Sequence, residues 1–520
     1  MERDLVIGLD SSTSATKAIA WTRDGVPLAE GRSSLPLARP APDWYEQNPD
    51  DWWCSACLAL RDLLQRVEPA RIAAIGISNQ RETFVPLAAG GSPVRPAIIW
   101  LDQRCREEVS WFSEQVGRER IHEISGKPVD MAPVAYRMAW MLRNEPENYA
   151  RTAMFADVHA YLTWRLTGQF RTSSTSADPL GLLDMRTKEW SGEILEILHL
   201  KPEQLPATAS PGSVLGLVNE SAALSTLLPA GTPVVAGGGD GQLAGLGVNA
   251  LTPSRAYLNL GTAVVAGIQS DEYRIGQAWR TMGSGCGDGY CFETSLRSGT
   301  FLVDWFVEQC AGGSGGGETR RRLESEAALL PIGSGGLLAV PYWGAVMTPY
   351  WDQNARGCLL GMTGAHGTAH MYRAVLEGIA LEQAMVTGMI EHEAGIEVRE
   401  YVAIGGGAAS DLWCRIIADA GGKPVRRSRT LEASSLGAAM CAATGAGWFA
   451  DSRTAAAAMN AEITHETEPS AIGVARYADL LDIYRDIYPL LRATYGRLSG
   501  FASGAGQASP GPETDPGTRN

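Results

Sequence analysis

The 520-residue sequence lacks the short motifs that identify several common kinds of site. It has no GxxxxGK[ST] loop, which excludes a P-loop nucleotide site, and no GxGxxG after its first predicted strand, which disfavours a Rossmann cofactor site. Its histidines form no HExxH-like constellation. Cys54-x-x-Cys57 is the one close cysteine pair, and no second pair completes a zinc site. We interpret this pair as structural, because it lies in an amphipathic helical pattern and free cysteine packs as a small apolar side chain.

The sequence also lacks an excess of positive charge and a long apolar run. Its formal net charge of -14 and pI near 5.1 argue against nucleic acid or an anionic membrane as the main partner. No apolar run is long enough to span a bilayer, and no signal peptide is visible before the first predicted strand. We therefore expect a cytoplasmic protein that binds neither nucleic acid nor membrane.

The two halves of the sequence begin alike. "LVIGLD", "SSTSATK" and "AIAWT" predict strand, polar turn and strand, and Asp24-Gly25 predicts a hairpin leading to a third strand. "RAYLNLGTAVVAGIQ" (255–269) repeats strand, turn and strand. This weak repeat predicts two α/β domains of like construction, an N-terminal domain over 1–248 and a C-terminal domain over 249–497. Residues 498–520, which are rich in Gly, Ser and Pro, are predicted to form a disordered tail.

Glycines cluster where predicted strands end and helices begin. Three glycines precede Asp240, three more end the strand of "EYVAIGGGAASDLW", and "LRSGT" places Gly299 before another helix. Glycine lets a ligand approach the backbone closely, and the free N–H groups at a helix start attract anions. Each junction taken singly can equally be structural. Three of them, with two polar hairpin turns, favour a nucleotide cradle between the domains.

Two carboxylates lie at the ends of predicted strands. Asp240 is placed where an ionised carboxylate could accept a proton from a substrate hydroxyl, and the alternative is an ordinary N-cap aspartate. Asp10, at the end of the first strand, either forms the turn or holds Mg²⁺ beside phosphates. A third polar cluster, Asn79 to Thr83 in "IGISNQRETFVPL", directly follows a run that predicts a buried strand.

Taken together, these segments resemble the FGGY family of carbohydrate kinases, within the actin-like and hexokinase-like ATPase superfamily. The resemblance covers roughly residues 5–498 and rests on "GLDSSTSATKA", "WYEQNPDDWW", "IIWLDQR", "GGGDGQLAGLG", "NLGTAVV", "PYWDQNARGCLLGMTGAHGTAHMYRAVLEG", "GGGAASDLW" and "EASSLGAAMCAATGAG". It implies two ribonuclease-H-like α/β domains with ATP in the cleft between them. The implied reaction is transfer of the γ-phosphate to a hydroxyl of a small polyol or ketose.

The resemblance also implies roles for individual residues. Asp240 would be the general base and would contact the substrate, and Asp10 would help to hold Mg·ATP. Residues of the two polar turns would contact phosphates: Thr13, Ser14, Lys17, Gly261 and Thr262. Gly299 and Gly407 would border the nucleoside.

The polar cluster after Ile77 would bind the substrate. A polyol offers hydroxyls that are both donors and acceptors, so Arg81 could donate in a fork while Glu82 accepts. "SNQRET" resembles the glycerol kinase version of this loop, and the alternative for the pair is a surface ion pair. Trp100 would lay its face against the carbon skeleton of the ligand. Asp102 would support that loop or reach a hydroxyl.

Several departures from the family pattern bear on the substrate. Ser12 occupies a turn position where glycine is usual. Ala132 lies where glycerol kinases place a tyrosine, and Gly241 lies where they place a glutamine. "WYEQNPDDWW" and "GGGAASDLW" look more like xylulose kinases. The mixture favours a four- or five-carbon polyol or ketose, with glycerol possible.

Two other functional classes compete with a kinase. One is a nucleotide-switched binding ATPase of the actin and chaperone type, which would hydrolyse ATP without a sugar acceptor. The other is a sugar-sensing regulator, which would need a helix-turn-helix before Leu5, and none is visible. We further expect a homodimer or larger homo-oligomer. The sequence leaves open the sugar, the hydroxyl that is phosphorylated, and allosteric regulation.

Overall fold

The computed structural model describes residues 3–312, 317–460 and 463–504. The strands of the first half are β1 (Leu5–Ser11), β2 (Ala15–Thr22), β3 (Pro27–Ser34), β4 (Glu46–Gln47), β5 (Ile72–Asn79), β6 (Phe84–Leu87), β7 (Ala97–Ile98), β8 (Met154–Asp157), β9 (Arg171–Ser173), β10 (Leu183–Asp184), β11 (Glu189–Trp190), β12 (Ala207–Ala209), β13 (Val214–Leu217) and β14 (Pro233–Gly239). Those of the second half are β15 (Arg255–Leu260), β16 (Val264–Ser270), β17 (Arg280–Gly283), β18 (Tyr290–Leu296), β19 (Leu338–Val340), β20 (Cys358–Leu360), β21 (Glu400–Ile404), β22 (Val425–Ser428) and β23 (Ile463–Thr467).

Helices alternate with these strands. The α-helices are α1 (Pro49–Leu64), α2 (Arg106–Val116), α3 (Arg118–Ser125), α4 (Val134–Asn144), α5 (Pro146–Arg151), α6 (Val158–Thr167), α7 (Ser174–Ala177), α8 (Gly192–Ile197), α9 (Glu220–Thr226), α10 (Asp240–Gly247), α11 (Thr300–Cys310), α12 (Gly317–Ala328), α13 (Thr368–Ala394), α14 (Asp411–Gly421), α15 (Ala433–Gly445), α16 (Ser452–Ala458) and α17 (Ala471–Gly504). Short 3₁₀ helices span Pro69–Arg71, Asp178–Leu180, Pro202–Gln204 and Gly406–Ala409.

Both halves are built around a mixed sheet with the same five-strand core. The first runs β3-β2-β1-β5-β14, and the second runs β18-β16-β15-β21-β22. In each, the first three strands are antiparallel and the last three are parallel to one another. The predicted repeat of strand, turn and strand corresponds to β1–β2 and β15–β16. The fold is therefore the predicted α/β class with two ribonuclease-H-like domains.

Local sequence signals account for several element boundaries. The hairpin predicted at Asp24-Gly25 joins β2 to β3, and Gly25 has the positive φ (74°) that such a turn requires. Helix α1 begins after Asn48, whose side chain accepts a hydrogen bond from the N–H of Asp50, with Pro49 in the first turn. Its apolar face, which includes Trp52, packs into the core of the N-terminal domain.

Helices α10 and α15 lie between the two sheets. Leu243 and Leu436 pack with strands of the first sheet, while Ala244 and Ala433 pack with strands of the second. The approach is close because glycine lines it: a methyl group on Gly8 of β1 would lie 1.9 Å from the Ser435 carbonyl oxygen of α15. Helix α15, from late in the chain, thus covers the sheet of the N-terminal domain. The predicted division at residue 249 assigns this helix to the other domain and so does not include the contact.

The predicted disordered tail begins too early. Helix α17 continues to Gly504, so residues 498–504 are helical rather than disordered. The helix is anchored by buried tyrosines, among them Tyr484 and Tyr495, and extension by further residues costs little once a helix has formed. The remainder of the predicted tail, 505–520, lies outside the described residues. Among the helices that the structure describes, none is long and apolar enough to cross a membrane.

Candidate active site

Asp240 and Arg81 meet where the two domains contact each other. Asp240 is the first residue of α10, and its Oδ1 lies 3.0 Å from Nε of Arg81, which follows β5. The helix N-cap is Gly239, so Asp240 does not fill the N-cap role that was the alternative. A methyl group at Gly239 would lie 2.5 Å from Cδ of Arg81, so glycine is needed there to admit the arginine.

The Asp240 carboxylate faces the open side of this site. Solvent reaches 42% of its side chain, whereas the Arg81 side chain is 8% exposed. Partial burial in the cleft raises the pKa of Asp240, and the nearby Arg81 offsets only part of that rise, with Glu82 raising it further. The result is a carboxylate that is accessible and more basic than an ordinary aspartate.

Glu82 is held by groups from both domains. Its Oε1 accepts a hydrogen bond from Nη1 of Arg280 at 2.7 Å, and its backbone carbonyl accepts one from Nη2 of Arg137 at 2.7 Å. Its φ of 47° lies in the left-handed region, which costs a non-glycine residue on the order of 1 kcal/mol. Arg137 also donates to the Ala132 carbonyl at 2.6 Å, so the loop at Ala132 lies beside Glu82.

Arg280 and Glu293 complete the surroundings of the Arg81–Glu82 pair. Glu293 Oε2 accepts a hydrogen bond from Arg81 Nη1 at 2.6 Å, and Oε1 accepts one from Arg280 Nε at 2.7 Å. Burial alone would raise the pKa of Glu293, but the two guanidinium groups outweigh it and lower the pKa to about 2. These contacts leave Arg81 Nη2 and Glu82 Oε2 with no hydrogen-bond partner among the described residues.

Trp100 and Asp102 have different surroundings. Trp100 is 43% exposed, and its Nε1 donates to Thr13 Oγ1 at 2.8 Å, which joins this segment to the first polar turn. Asp102 is buried behind the site. Both of its carboxylate oxygens accept hydrogen bonds, from Arg104 and from the N–H of Tyr45. Protein groups therefore occupy both carboxylate oxygens of Asp102, and its role, support of the loop or contact with a hydroxyl, stays a prediction.

The first polar turn places a carboxylate and an ammonium group side by side. Asp10 and Lys17 are cross-strand partners on β1 and β2, and Ser78 Oγ donates to Asp10 Oδ1 at 2.7 Å. Burial raises the pKa of Asp10 to about 6, although the Ser78 hydrogen bond opposes it. Lys17 Nζ is paired with Glu432, at 2.5 and 2.7 Å from its two oxygens. Ser14 is exposed at the turn.

The second polar turn brings together the glycines predicted to border the nucleotide. Gly299 N donates to the Thr262 carbonyl at 2.9 Å, and a methyl group on Gly299 would lie 2.5 Å from the Gly261 carbonyl oxygen. A methyl group on Gly407 would lie 2.9 Å from Leu260 Cβ. The turn after β15, the start of α11 and the glycine-rich end of β21 therefore lie against one another and form one glycine-lined surface.

Five charged or amide side chains of the site were not anticipated from the sequence: Lys127, Asp178, Gln242, Arg280 and Glu293. Gln242 bridges the site, because its Oε1 accepts from Arg81 and its Nε2 donates to the Thr175 carbonyl. Lys127 is buried with its Nζ 3.8 Å from Asp178 Oδ1. Burial lowers the pKa of this lysine to about 8, although Asp178 opposes it.

Family models match both halves of the chain. The model of the N-terminal domain of the FGGY family of carbohydrate kinases matches residues 5–247, and the model of the C-terminal domain matches residues 256–446. The chain belongs to the FGGY family of carbohydrate kinases. It is accordingly a kinase that uses ATP to phosphorylate a hydroxyl of a small sugar or polyol, and the alternative of a nucleotide-switched binding ATPase is not favoured.

Individual FGGY kinases resemble the chain over most of its length. A xylulose kinase from Bacillus subtilis (strain 168) is 31% identical over 93% of this chain and 96% of its own. A glycerol kinase from Aromatoleum aromaticum is 31% identical over 85% and 90%, respectively. Among solved structures, a gluconate kinase from Lactobacillus acidophilus superposes with a TM-score of 0.90 at 25% identity, covering 95% of this chain and 99% of the other.

Proposed function

We propose that Asp240 is the general base of this kinase and that Arg81 and Glu82 bind the acceptor sugar beside it. The observation that carries the proposal is the 3.0 Å contact between Arg81 and an Asp240 carboxylate that remains 42% exposed. We assign acceptor binding and proton removal to the N-terminal domain and nucleotide binding mainly to the C-terminal domain. An acceptor in contact with the unpaired Arg81 Nη2 and Glu82 Oε2 would lie against the base.

The chemistry follows from these contacts. Asp240 accepts the proton of the acceptor hydroxyl as the hydroxyl oxygen attacks the γ-phosphorus of ATP, and the bond from that phosphorus to the bridging oxygen breaks to release ADP. The raised pKa of Asp240, which results mainly from burial, makes it a better base than an ordinary aspartate. The N–H of Gly241 donates to Asp240 Oδ1 at 2.8 Å and orients the carboxylate. Domain closure over the site would exclude water.

The residues present fit magnesium nucleotide. Thr13, Ser14, Gly261 and Thr262 would contact the phosphates, and Lys17 would do so by exchanging Glu432 for a phosphate oxygen. Asp10 has a pKa raised to about 6, partly because Asp240 and Glu432 lie nearby, and a cation would relieve that repulsion. No group of three or more His, Cys, Asp or Glu that could hold a metal occurs in the described part of the chain. Mg²⁺ needs only one or two carboxylates beside phosphates, where it neutralises developing charge.

The acceptor that we favour is a polyol or ketose of four or five carbons. Arg137 fixes the Ala132 loop beside Glu82, so the small side chain at Ala132 leaves room next to the acceptor. A xylulose kinase is among the similar proteins and a gluconate kinase is among the similar structures, and both act on acceptors larger than glycerol. Trp100, with 43% of its surface exposed, offers an apolar face to the carbon skeleton.

We also propose a cytoplasmic location and self-association. The formal net charge of -14 supports a location in aqueous solution, because a negatively charged protein is repelled by anionic surfaces such as membranes. Large apolar side chains exposed on α17, among them Ile472, Ile483 and Leu490, support burial against a second copy. Light scattering, recorded as the protein elutes from a size-exclusion column, gives its molar mass and therefore its oligomeric state.

The proposal is tested by ADP release measured across glycerol, erythritol, D-xylulose and D-gluconate. Acceptor-dependent ADP release is expected, greatest with a four- or five-carbon acceptor. Asp240→Asn should lower kcat by about 100- to 10,000-fold, because the base is lost. Arg81→Ala should raise the acceptor KM by about tenfold or more, with a smaller fall in kcat. ADP release that is independent of acceptor and unchanged in Asp240→Asn would overturn the proposal.

The space at Ala132 gives a separate test of acceptor size. Ala132→Tyr should lower kcat/KM for the five-carbon acceptor by about tenfold or more relative to glycerol, because the ring fills the room beside Glu82. Both acceptors are assayed with the same enzyme preparation, so a loss of folded protein cancels in the ratio. An unchanged ratio would show that Ala132 does not border the acceptor.

A further inference from the structure

Five charged side chains form an unbroken series of ion pairs through the site. The series runs Asp240–Arg81–Glu293–Arg280–Glu82, and the charges alternate in sign along it. Consecutive members are separated by 3.0, 2.6, 2.6 and 2.7 Å. Its two ends are Asp240, the proposed base, and Glu82, which is proposed to accept a hydrogen bond from a hydroxyl of the sugar. We call these five residues the ion-pair chain.

The middle of the ion-pair chain comes from the C-terminal domain. Arg280 and Glu293 lie directly opposite each other on the antiparallel strands β17 and β18. Their side chains are 8% and 1% exposed, and Tyr257 Oη of β15 donates to Glu293 Oε2 at 3.3 Å. The Arg81–Glu293 and Glu82–Arg280 pairs therefore cross from one domain to the other.

Stability alone is a poor account of this arrangement. Buried ion pairs lose hydration that their mutual attraction only partly repays, and apolar side chains of similar volume often stabilise as well. What the pairs do fix is orientation. Glu293 accepts a hydrogen bond from Nη1 of Arg81. This bond keeps the Arg81 guanidinium from rotating so that Nη1 also faces Asp240. Arg280 takes Oε1 of Glu82, which leaves Oε2 for a ligand.

We propose that Arg280 and Glu293 are positioning residues that hold Arg81 and Glu82 in the orientation that binds the acceptor. The C-terminal domain would then set acceptor affinity as well as nucleotide binding, and the acceptor site is complete only when the two domains are closed. This inference rests on the proposed role of Arg81 and Glu82. It predicts that variants of Arg280 or Glu293 affect the acceptor far more than ATP.

The test compares Glu293→Gln with Glu382→Gln, using the best acceptor of the four-compound panel. Glu382 is the matched control, because it is a buried glutamate of the same domain whose partners are Tyr342 and Tyr484. Glu293→Gln should raise the acceptor KM by about tenfold while the ATP KM changes by less than about twofold. Glu382→Gln should leave both KM values within about twofold of the wild type.

A second pair of variants repeats the comparison with arginine. Arg280→Lys keeps the charge but loses the fork, and Arg373→Lys does the same in a buried Arg373–Glu377 pair away from the cleft. The acceptor KM should rise in Arg280→Lys and not in Arg373→Lys. Glu293→Asp, which retains the carboxylate, should recover part of the loss seen in Glu293→Gln.

The outcomes separate this inference from the proposed function. An acceptor KM that is raised by Arg81→Ala but not by Glu293→Gln or Arg280→Lys would overturn the positioning role alone. An acceptor KM that Arg81→Ala leaves unchanged would overturn the acceptor site, and the inference with it. Equal increases in the acceptor and ATP KM values would indicate general damage and would also overturn the positioning role. Glu293→Asp keeps the comparison available if Glu293→Gln does not fold.

Discussion

Glu293 and Glu382 are two buried glutamates of the same domain with opposite tendencies to ionise. Glu293 faces the guanidinium groups of Arg81 and Arg280, which overcome its burial and lower its pKa to about 2. Glu382 faces the hydroxyls of Tyr342 and Tyr484, which only partly oppose burial, and its pKa rises to about 7. Their exposures, 1% and 2%, are nearly equal. Burial therefore does not decide ionisation by itself, because the charge of the partners decides it.

The difference corresponds to where each residue lies. Glu293 is at the interdomain site, where fixed charges orient groups that meet a polar ligand. Glu382 lies in the core of the C-terminal domain on α13, where at pH below about 7 a neutral carboxyl beside two tyrosines contributes packing and hydrogen bonds without a full charge. In that pH range the interdomain site holds buried charge, and this part of the core does not.

The largest expected effect is on stability at pH 5.5, which lies below the pKa of Glu382 and above that of Glu293. Glu293→Gln should lower the free energy of unfolding by about 3 kcal/mol, because Arg81 and Arg280 each lose a hydrogen bond to the shared carboxylate and keep only Asp240 and Glu82 as charged partners. Glu382→Gln leaves no uncompensated charge and should change it by about 1 kcal/mol or less. Urea unfolding followed by tryptophan fluorescence measures both. Equal losses in the two variants would contradict the distinction between a charged and a neutral environment.

The sequence predicted the framework of the site better than its charge balance. The strand–turn–strand repeats, the glycine-rich junctions and the meeting of Arg81 with Asp240 all depend on local patterns or on strand ends that a parallel sheet brings together. Trp100 was likewise expected near the site, and its indole N–H binds Thr13. Patterns of this kind are short enough to recognise in a single sequence.

Arg280 and Glu293 were missed because each appears alone within an apolar strand. In "AWRTMG" and "YCFETSL" a single charged residue interrupts a run that otherwise predicts burial. Asp288-Gly289 between the strands is a hairpin signal, and pairing the strands would have placed the two charges opposite each other. Their contact with Arg81 depends on how the domains pack, which no local pattern specifies.

The smaller effect concerns how stability changes with pH. The pKa of Glu382 is raised in the folded protein, so the folded state holds a proton that the unfolded state has released, and stability falls as pH rises from the unfolded value of about 4.5 to about 7. Between pH 5.5 and pH 8 this one carboxyl should lower the free energy of unfolding by about 2 kcal/mol.

The lowered pKa of Glu293 has the opposite effect. Its stabilisation is complete above the unfolded pKa and is lost only as pH falls toward about 2, so it is constant between pH 5.5 and pH 8. Unfolding of the wild type and Glu382→Gln at the two pH values isolates the effect, because other raised groups such as Asp178 contribute equally to both proteins. The same pH dependence in the two proteins would mean that Glu382 is ionised in the core, and the contrast with Glu293 would not hold.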